Sequence, residues 1–395
     1  MLHRKPILNI GLIIGIVGVM LIAGLIKPSY ANPGIEMPGP MVELRATGQD
    51  EFTRVVPHHE PSRAPNAANI TVTYSGTWDA SAQAAFEYAV TIWESKLTSA
   101  VEIKVTATWA VLGTGILGSA GATTIHRDFT NAPRSLTWYP QALANSLAGG
   151  DLSSAQPDIN ANFNSAFSSW YYGTDGVTPA GKYDFVTVVL HELGHGLGFF
   201  GSATVSSGQG SWGNSGFPYI YDVFTENVGG VDTTNTTSFP NPSAALASHL
   251  QGNALYFNGT QGTIGNGGTR PQLYAPTTWA SGSSYSHLNE STYPAGNAHS
   301  LMTPQIGTAE ANHSPGAVTL GIFYDMGWSV PSLATATPTA TATRTATATA
   351  TRTATATATA TRTATATNTP VTPTNTATAT ATRTATATNT PVTPT

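Results

Sequence analysis

Apolar and polar residues alternate from Ile70 to Tyr74, with Ile70, Val72 and Tyr74 on one face and Thr71 and Thr73 on the other, which predicts a strand. Phe86, Val90, Trp93 and Leu97 then recur at helical spacing, so a helix is expected after Trp78 with Asp79 as its N-cap. Val101, Ile103, Val105, Ala107 and Trp109 alternate with Glu102, Lys104, Thr106 and Thr108 in a second strand. Ile159, Ala161 and Phe163 alternate with Asn160, Asn162 and Asn164 in a third. That strand reads either as the edge bordering a cleft, to which an extended peptide would add through its main chain, or as an ordinary half-buried strand. Strand, helix and strand in succession predict an α/β (α+β) fold, the start of an α/β sandwich. The glycine-rich run Gly113–Gly121 lacks the lysine and helix of a phosphate loop and reads as a turn region.

A different period governs Val186–Gly198. Val186, Leu190, Leu193 and Leu197 form an i, i+4, i+7, i+11 apolar stripe, and His191 and His195 lie off it. Residues i and i+4 share a helix face, so His191 and His195 can present imidazole nitrogens to one metal ion, with Glu192 beside them. Zinc held by neutral imidazoles keeps a position for water and lowers its pKa to about 7. A carboxylate at that position can take the water's proton, which makes a peptide hydrolase the reading of this pattern. Gly198 can adopt a left-handed conformation and end the helix.

The stretch HELGHGLGF resembles the zinc helix of the metzincin metallopeptidases, whose HExxHxxG motif is followed downstream by a methionine turn; Ser300–Pro304, SLMTP, resembles that turn. In the longest form of the motif a third ligand stands where this chain has Gly201, which has no side chain. The leishmanolysin-like branch instead places a distant histidine after a long insertion, and Ser286–Glu290, SHLNE, is similar to that ligand segment, 92 residues after His195 (287 minus 195). The resemblance, covering about 70–330, implies His191, His195 and His287 as zinc ligands, Glu192 as general base and Met302 as an apolar floor below the metal. His287 stands 15 residues before Met302 (302 minus 287), a longer spacing than the resemblance leads one to expect. His299, three residues before Met302, competes with His287 for the third position; His249 reads as part of a helix on the insertion, and His313 has no role in the resemblance. The implied fold is a metzincin-like zincin with a twisted mixed sheet, an active-site helix and a lower C-terminal subdomain, to which the Gly321–Trp328 stretch supplies a helix.

Composition separates the ends of the 395-residue chain from its middle. His3, Arg4 and Lys5 precede an apolar run from Ile7 to Ile26, and Ser29-Tyr30-Ala31 offers a cleavage site, so 1–31 reads as a signal peptide of a secreted protein. An uncleaved membrane anchor is the competing reading. Residues 32–65 read as an extended leader or pro-segment containing His58 and His59, 66–330 as the metallopeptidase domain, and 331–395 as a Thr/Ala/Pro-rich stalk repeating RTATATNTPVTPT from Arg362 and Arg383. The stalk suggests cell-surface attachment. Cysteine is absent, which excludes disulfides and thiol catalysis, and a net charge of -5 argues against nucleic acid. The leading expectation is a secreted zinc endopeptidase acting on protein or peptide substrates. The alternative is a zinc-containing surface adhesion or scaffold protein that does not turn over substrate.

Overall fold

Residues 34–56 and 67–334 are described in the computed structural model of the chain; the expected signal segment, His58, His59 and almost all of the stalk lie outside them. Among the described residues no helix is long and apolar enough to cross a membrane. The fold is mixed α/β. Its centre is a six-stranded sheet built from β1 (Val42–Val55), β2 (Ile70–Ser75), β3 (Ile103–Ala110), β4 (Ile116–Ala122), β5 (Ile159–Asn164) and β6 (Gln305–Asn312). The order across the sheet is β6-β1-β4-β5-β3-β2. β2, β3 and β5 run parallel, β4 runs antiparallel to both β5 and β1, and β6 runs parallel to β1.

The helices are α1 (Ala80–Lys96), α2 (Gln141–Ala148), α3 (Phe185–Gly196), α4 (Ala244–Leu250), α5 (Thr260–Gly265) and α6 (Gly316–Met326), with a last turn at Pro331–Ala334. Asp79 caps α1 as expected, accepting from the Ser81 amide. The α1 stripe of Phe86, Val90 and Trp93 is buried, and the Trp93 indole N–H donates to the Leu190 carbonyl at 3.0 Å, fastening α1 to α3. Burying side chains of this size contributes roughly 1.5–3 kcal/mol each, enough to dock one helix on the other. Phe163, Phe185 and Trp78 meet edge to face and join both helices to the sheet. Every residue of α3 is buried, so the stripe of Val186, Leu190, Leu193 and Leu197 does not divide an inner from an outer face.

Two sequence expectations need correction. Ile159–Asn164 is not an edge strand: β5 lies inside the sheet between β3 and β4. The strand packed against Glu192 is β4, also interior to the sheet, and it falls largely in the run read as a turn region. Its Gly118, Ala120, Gly121 and Ala122 are too small to mark a period-two alternation, yet all four are buried. The extended leader also has a definite place, since its residues 42–55 are β1 and lie between β4 and β6.

Candidate metal centre

Asp184 precedes α3 and accepts from the Thr187 amide, which fixes the start of the helix; the buried His313 ring donates to the same carboxylate at 2.8 Å. About two and three turns later His191 and His195 emerge on one face. Gly198 then ends the helix at φ +124, a backbone that favours glycine, and a Cβ there would meet Pro140 at 2.7 Å. The sharp turn brings the Phe199 carbonyl back to His195 Nδ1 at 2.7 Å.

The third histidine is carried by the segment after the insertion. Tyr285 is fully buried in the left-handed region at φ 74, with its hydroxyl against Thr225 Oγ1 and its carbonyl accepting from the Tyr221 hydroxyl. Such a backbone costs about 1–3 kcal/mol and persists where surrounding contacts hold it. Two residues on, His287 points between His191 and His195. Tyr221, an aromatic residue of the insertion, is fully buried in the core.

The Nε2 atoms of the three rings lie 2.9 Å (His191 to His195), 3.1 Å (His195 to His287) and 3.2 Å (His191 to His287) apart. Each Nδ1 is matched to a main-chain carbonyl: Leu301 for His191 at 2.6 Å, Phe199 for His195 and Ser283 for His287, both at 2.7 Å. A carbonyl only accepts, so each Nδ1 carries the proton and each Nε2 presents a lone pair. Burial holds all three rings below the ordinary histidine pKa, His191 at about 4, with mutual repulsion adding to it for His195 and His287, which are held well below the usual value. Three neutral acceptors facing one another repel unless a cation lies between them. A tetrahedral ion with nitrogen ligands at about 2.0–2.1 Å sets them roughly 3.3 Å apart, close to the observed triangle. The three histidines therefore form a buried group able to bind a metal ion. Second-sphere carbonyls on every ring are what such a site requires to orient its ligands.

Glu192 is fully buried beside this group. Neither of its oxygens makes a well-formed hydrogen bond among the described residues. Burial holds its pKa well above the usual carboxylate range, reinforced by Glu43 and opposed by nearby main-chain groups of Leu44 and Ala120. Its carboxylate occupies the space where Gly118 of β4 has no side chain; a Cβ there would stand 2.8 Å from Oε1. Met302 lies beneath α3 in a 3₁₀ turn, Ser300–Met302, fully buried.

The other histidines do not join the group. His299 is outside it, half-buried against the Tyr293 ring. His249 lies on α4, bonded to Thr233 and stacked on Phe239. Gly201 packs against the Tyr285 ring and the Asp222 carboxylate, where any ligand side chain would clash. Sequence reasoning missed Gly118 and Leu44, and it missed the three supporting carbonyls because main-chain acceptors leave no residue signature.

The model of a family described as SPBPB7E8-like matches residues 128–250. That match spans less than a third of the chain and contains His191, Glu192 and His195 but ends before His287. The chain matches no curated protein and no solved structure.

Proposed function

We propose that the chain is a zinc-dependent endopeptidase, of the metzincin type its motifs resemble and secreted by way of its N-terminal segment. The observation that carries the reading is the meeting of three Nε2 lone pairs from His191, His195 and His287 beside a buried, poorly partnered carboxylate, Glu192. A purely structural zinc site has four protein ligands, and this one has three with a carboxylate next to them. Imidazoles suit zinc among the common divalent ions, along with copper, iron and nickel; the absence of cysteine removes thiolate ligation, and the three converging groups are imidazoles.

Zinc, when bound, supplies Lewis acidity toward a peptide carbonyl and a water of lowered pKa. His191, His195 and His287 would hold it, with their tautomers set by the Leu301, Phe199 and Ser283 carbonyls. Glu192 accepts the proton of the attacking water and returns it to the departing amine nitrogen. Met302 excludes water from below the histidines.

Casein hydrolysis by the zinc-loaded chain tests the reading. Activity should be abolished by a chelator, restored by zinc, and lowered by at least about a hundredfold in Glu192→Gln, which keeps the three ligands. Full metal occupancy without hydrolysis would instead favour the zinc-containing scaffold, and comparable turnover in the metal-replete variant would remove Glu192 from the mechanism.

A further inference from the structure

The turn that ends α3 and the segment that carries His287 are joined where the Gly201 amide donates to Ser286 Oγ at 3.2 Å. Both residues line a cavity of about 320 Å³. Ser286 adjoins His287, so the cavity begins one residue from the candidate metal centre. Trp279 and Tyr219 supply its rings, and no charged side chain lines it.

Three serines of the wall differ in what their hydroxyls have left to give. Ser202 Oγ is used twice, donating to the Asp222 carboxylate and accepting from the Gly213 amide at 2.6 Å. Ser284 Oγ accepts from the Ala280 amide at 3.0 Å, and Ser286 Oγ accepts from Gly201. A hydroxyl also donates, and among the described residues neither Ser284 nor Ser286 has an acceptor for its proton. Both are more than nine-tenths buried, at 5% and 8% exposed. Buried polar groups of a native protein are ordinarily matched, and the cavity is the space that both of these line.

A ligand that matches them carries an acceptor and no charge. Behind Ser202 the Asp222 carboxylate is fully buried, taking the Ser202 amide and hydroxyl and the Tyr219 amide. It opposes the entry of a second carboxylate. Because it lies behind the wall rather than in it, an ammonium would enter unpaired. A leucine side chain would leave both hydroxyl protons unmatched. A carboxamide offers the missing acceptor, and its apolar stem can lie against the rings of Trp279 and Tyr219.

We propose that this cavity is a side-chain subsite for a glutamine or asparagine of a protein substrate, read by the hydroxyls of Ser284 and Ser286. The inference rests on the peptidase reading and adds a substrate preference to it.

Alanine-rich peptides carrying a single Gln, Leu, Glu or Lys, moved one position at a time, are the probes. Their binding to the zinc-loaded full chain carrying Glu192→Gln is measured by fluorescence polarisation. Their hydrolysis by the zinc-loaded wild-type chain is measured by release of a quenched fluorophore. At one position the Gln peptide should be bound and cleaved about tenfold better than its Leu, Glu and Lys counterparts, the factor that one or two ordinary hydrogen bonds supply. Ser284→Ala and Ser286→Ala should each lower the Gln-to-Leu ratio by about threefold or more, with zinc content read separately. A Leu peptide that matches Gln at every position, or no binding by any peptide, overturns the subsite whether or not the variants fold. A ratio unmoved in both folded variants overturns the part given to the two hydroxyls. Gln-selective binding that Ser284→Ala weakens, with no hydrolysis by wild type, supports the subsite and overturns the peptidase reading.

Discussion

Gly194 has no side chain where Met302 needs the space: a Cβ on Gly194 would stand 2.7 Å from the Met302 Sδ and 3.0 Å from its Cε. The middle of the HELGH motif and the methionine turn are thereby fitted to each other. The turn also supplies the Leu301 carbonyl that orients His191, so this packing reaches the three-histidine group through one hydrogen bond.

Gly194→Ala should therefore destabilise the protein, although alanine in a helix interior is ordinarily better than glycine by about 1 kcal/mol. Overpacking costs typically 1–3 kcal/mol, and a net loss on the order of 1 kcal/mol is expected. Thermal unfolding of the zinc-loaded variant measures it, and Gly194→Ala combined with Met302→Ala should recover less stability than the cavity costs. A higher melting temperature for the single variant would show that the thioether moves aside freely.

Glu310 gives a pH dependence of stability. Burial, with the Glu290, Glu51 and Asp184 charges adding to it, raises its pKa to about 7. The folded state then keeps a proton that the unfolded state has already released above about pH 4.5, so the group's contribution falls as pH rises from about 4.5 to about 7. Glu310→Gln removes this titration while leaving an oxygen for the Gly307 amide. Its stability relative to wild type should increase across that window, reaching on the order of 1–3 kcal/mol by pH 8. Denaturant unfolding at pH 4.5, 6 and 8 reads the difference, and a constant offset would mean that Glu310 titrates normally.

Asp222 ties the turn after α3 to the insertion, accepting from the Ser202 and Tyr219 amides and from the Ser202 hydroxyl. Asp222→Ala strands two buried or half-buried amides and should cost about 2–4 kcal/mol, at roughly 1–3 kcal/mol for each unmet partner. Urea unfolding of the variant checks this. A change within about 0.5 kcal/mol, the range of an ordinary surface substitution, would mean that water takes over both amides.

The three-histidine group was legible because side chains able to hold a metal must sit at fixed spacing and have few substitutes. His191 and His195 follow from i and i+4, and His287 from its resemblance to a ligand segment. β4 was not legible, since Gly118, Ala120 and Gly121 are chosen for closeness to Glu192 and to β1 rather than for bulk. β1 hid for the opposite reason. Only Val42 and Leu44 along its length are buried, and the sequence from Thr47 to Asp50 is polar because it is exposed. The fit of Gly194 to Met302 joins residues more than a hundred positions apart, which no local pattern encodes.

The metal content of purified protein bears most directly on the central claim that His191, His195 and His287 form one zinc centre. Wild type, Glu192→Gln, His287→Ala and His299→Ala are equilibrated with equimolar zinc, dialysed against a weak chelator and measured by inductively coupled plasma mass spectrometry. One zinc per chain is expected in wild type, Glu192→Gln and His299→Ala, and a severe loss in His287→Ala. Retention of zinc by His287→Ala together with its loss from His299→Ala, or no zinc held by wild type, would contradict the account.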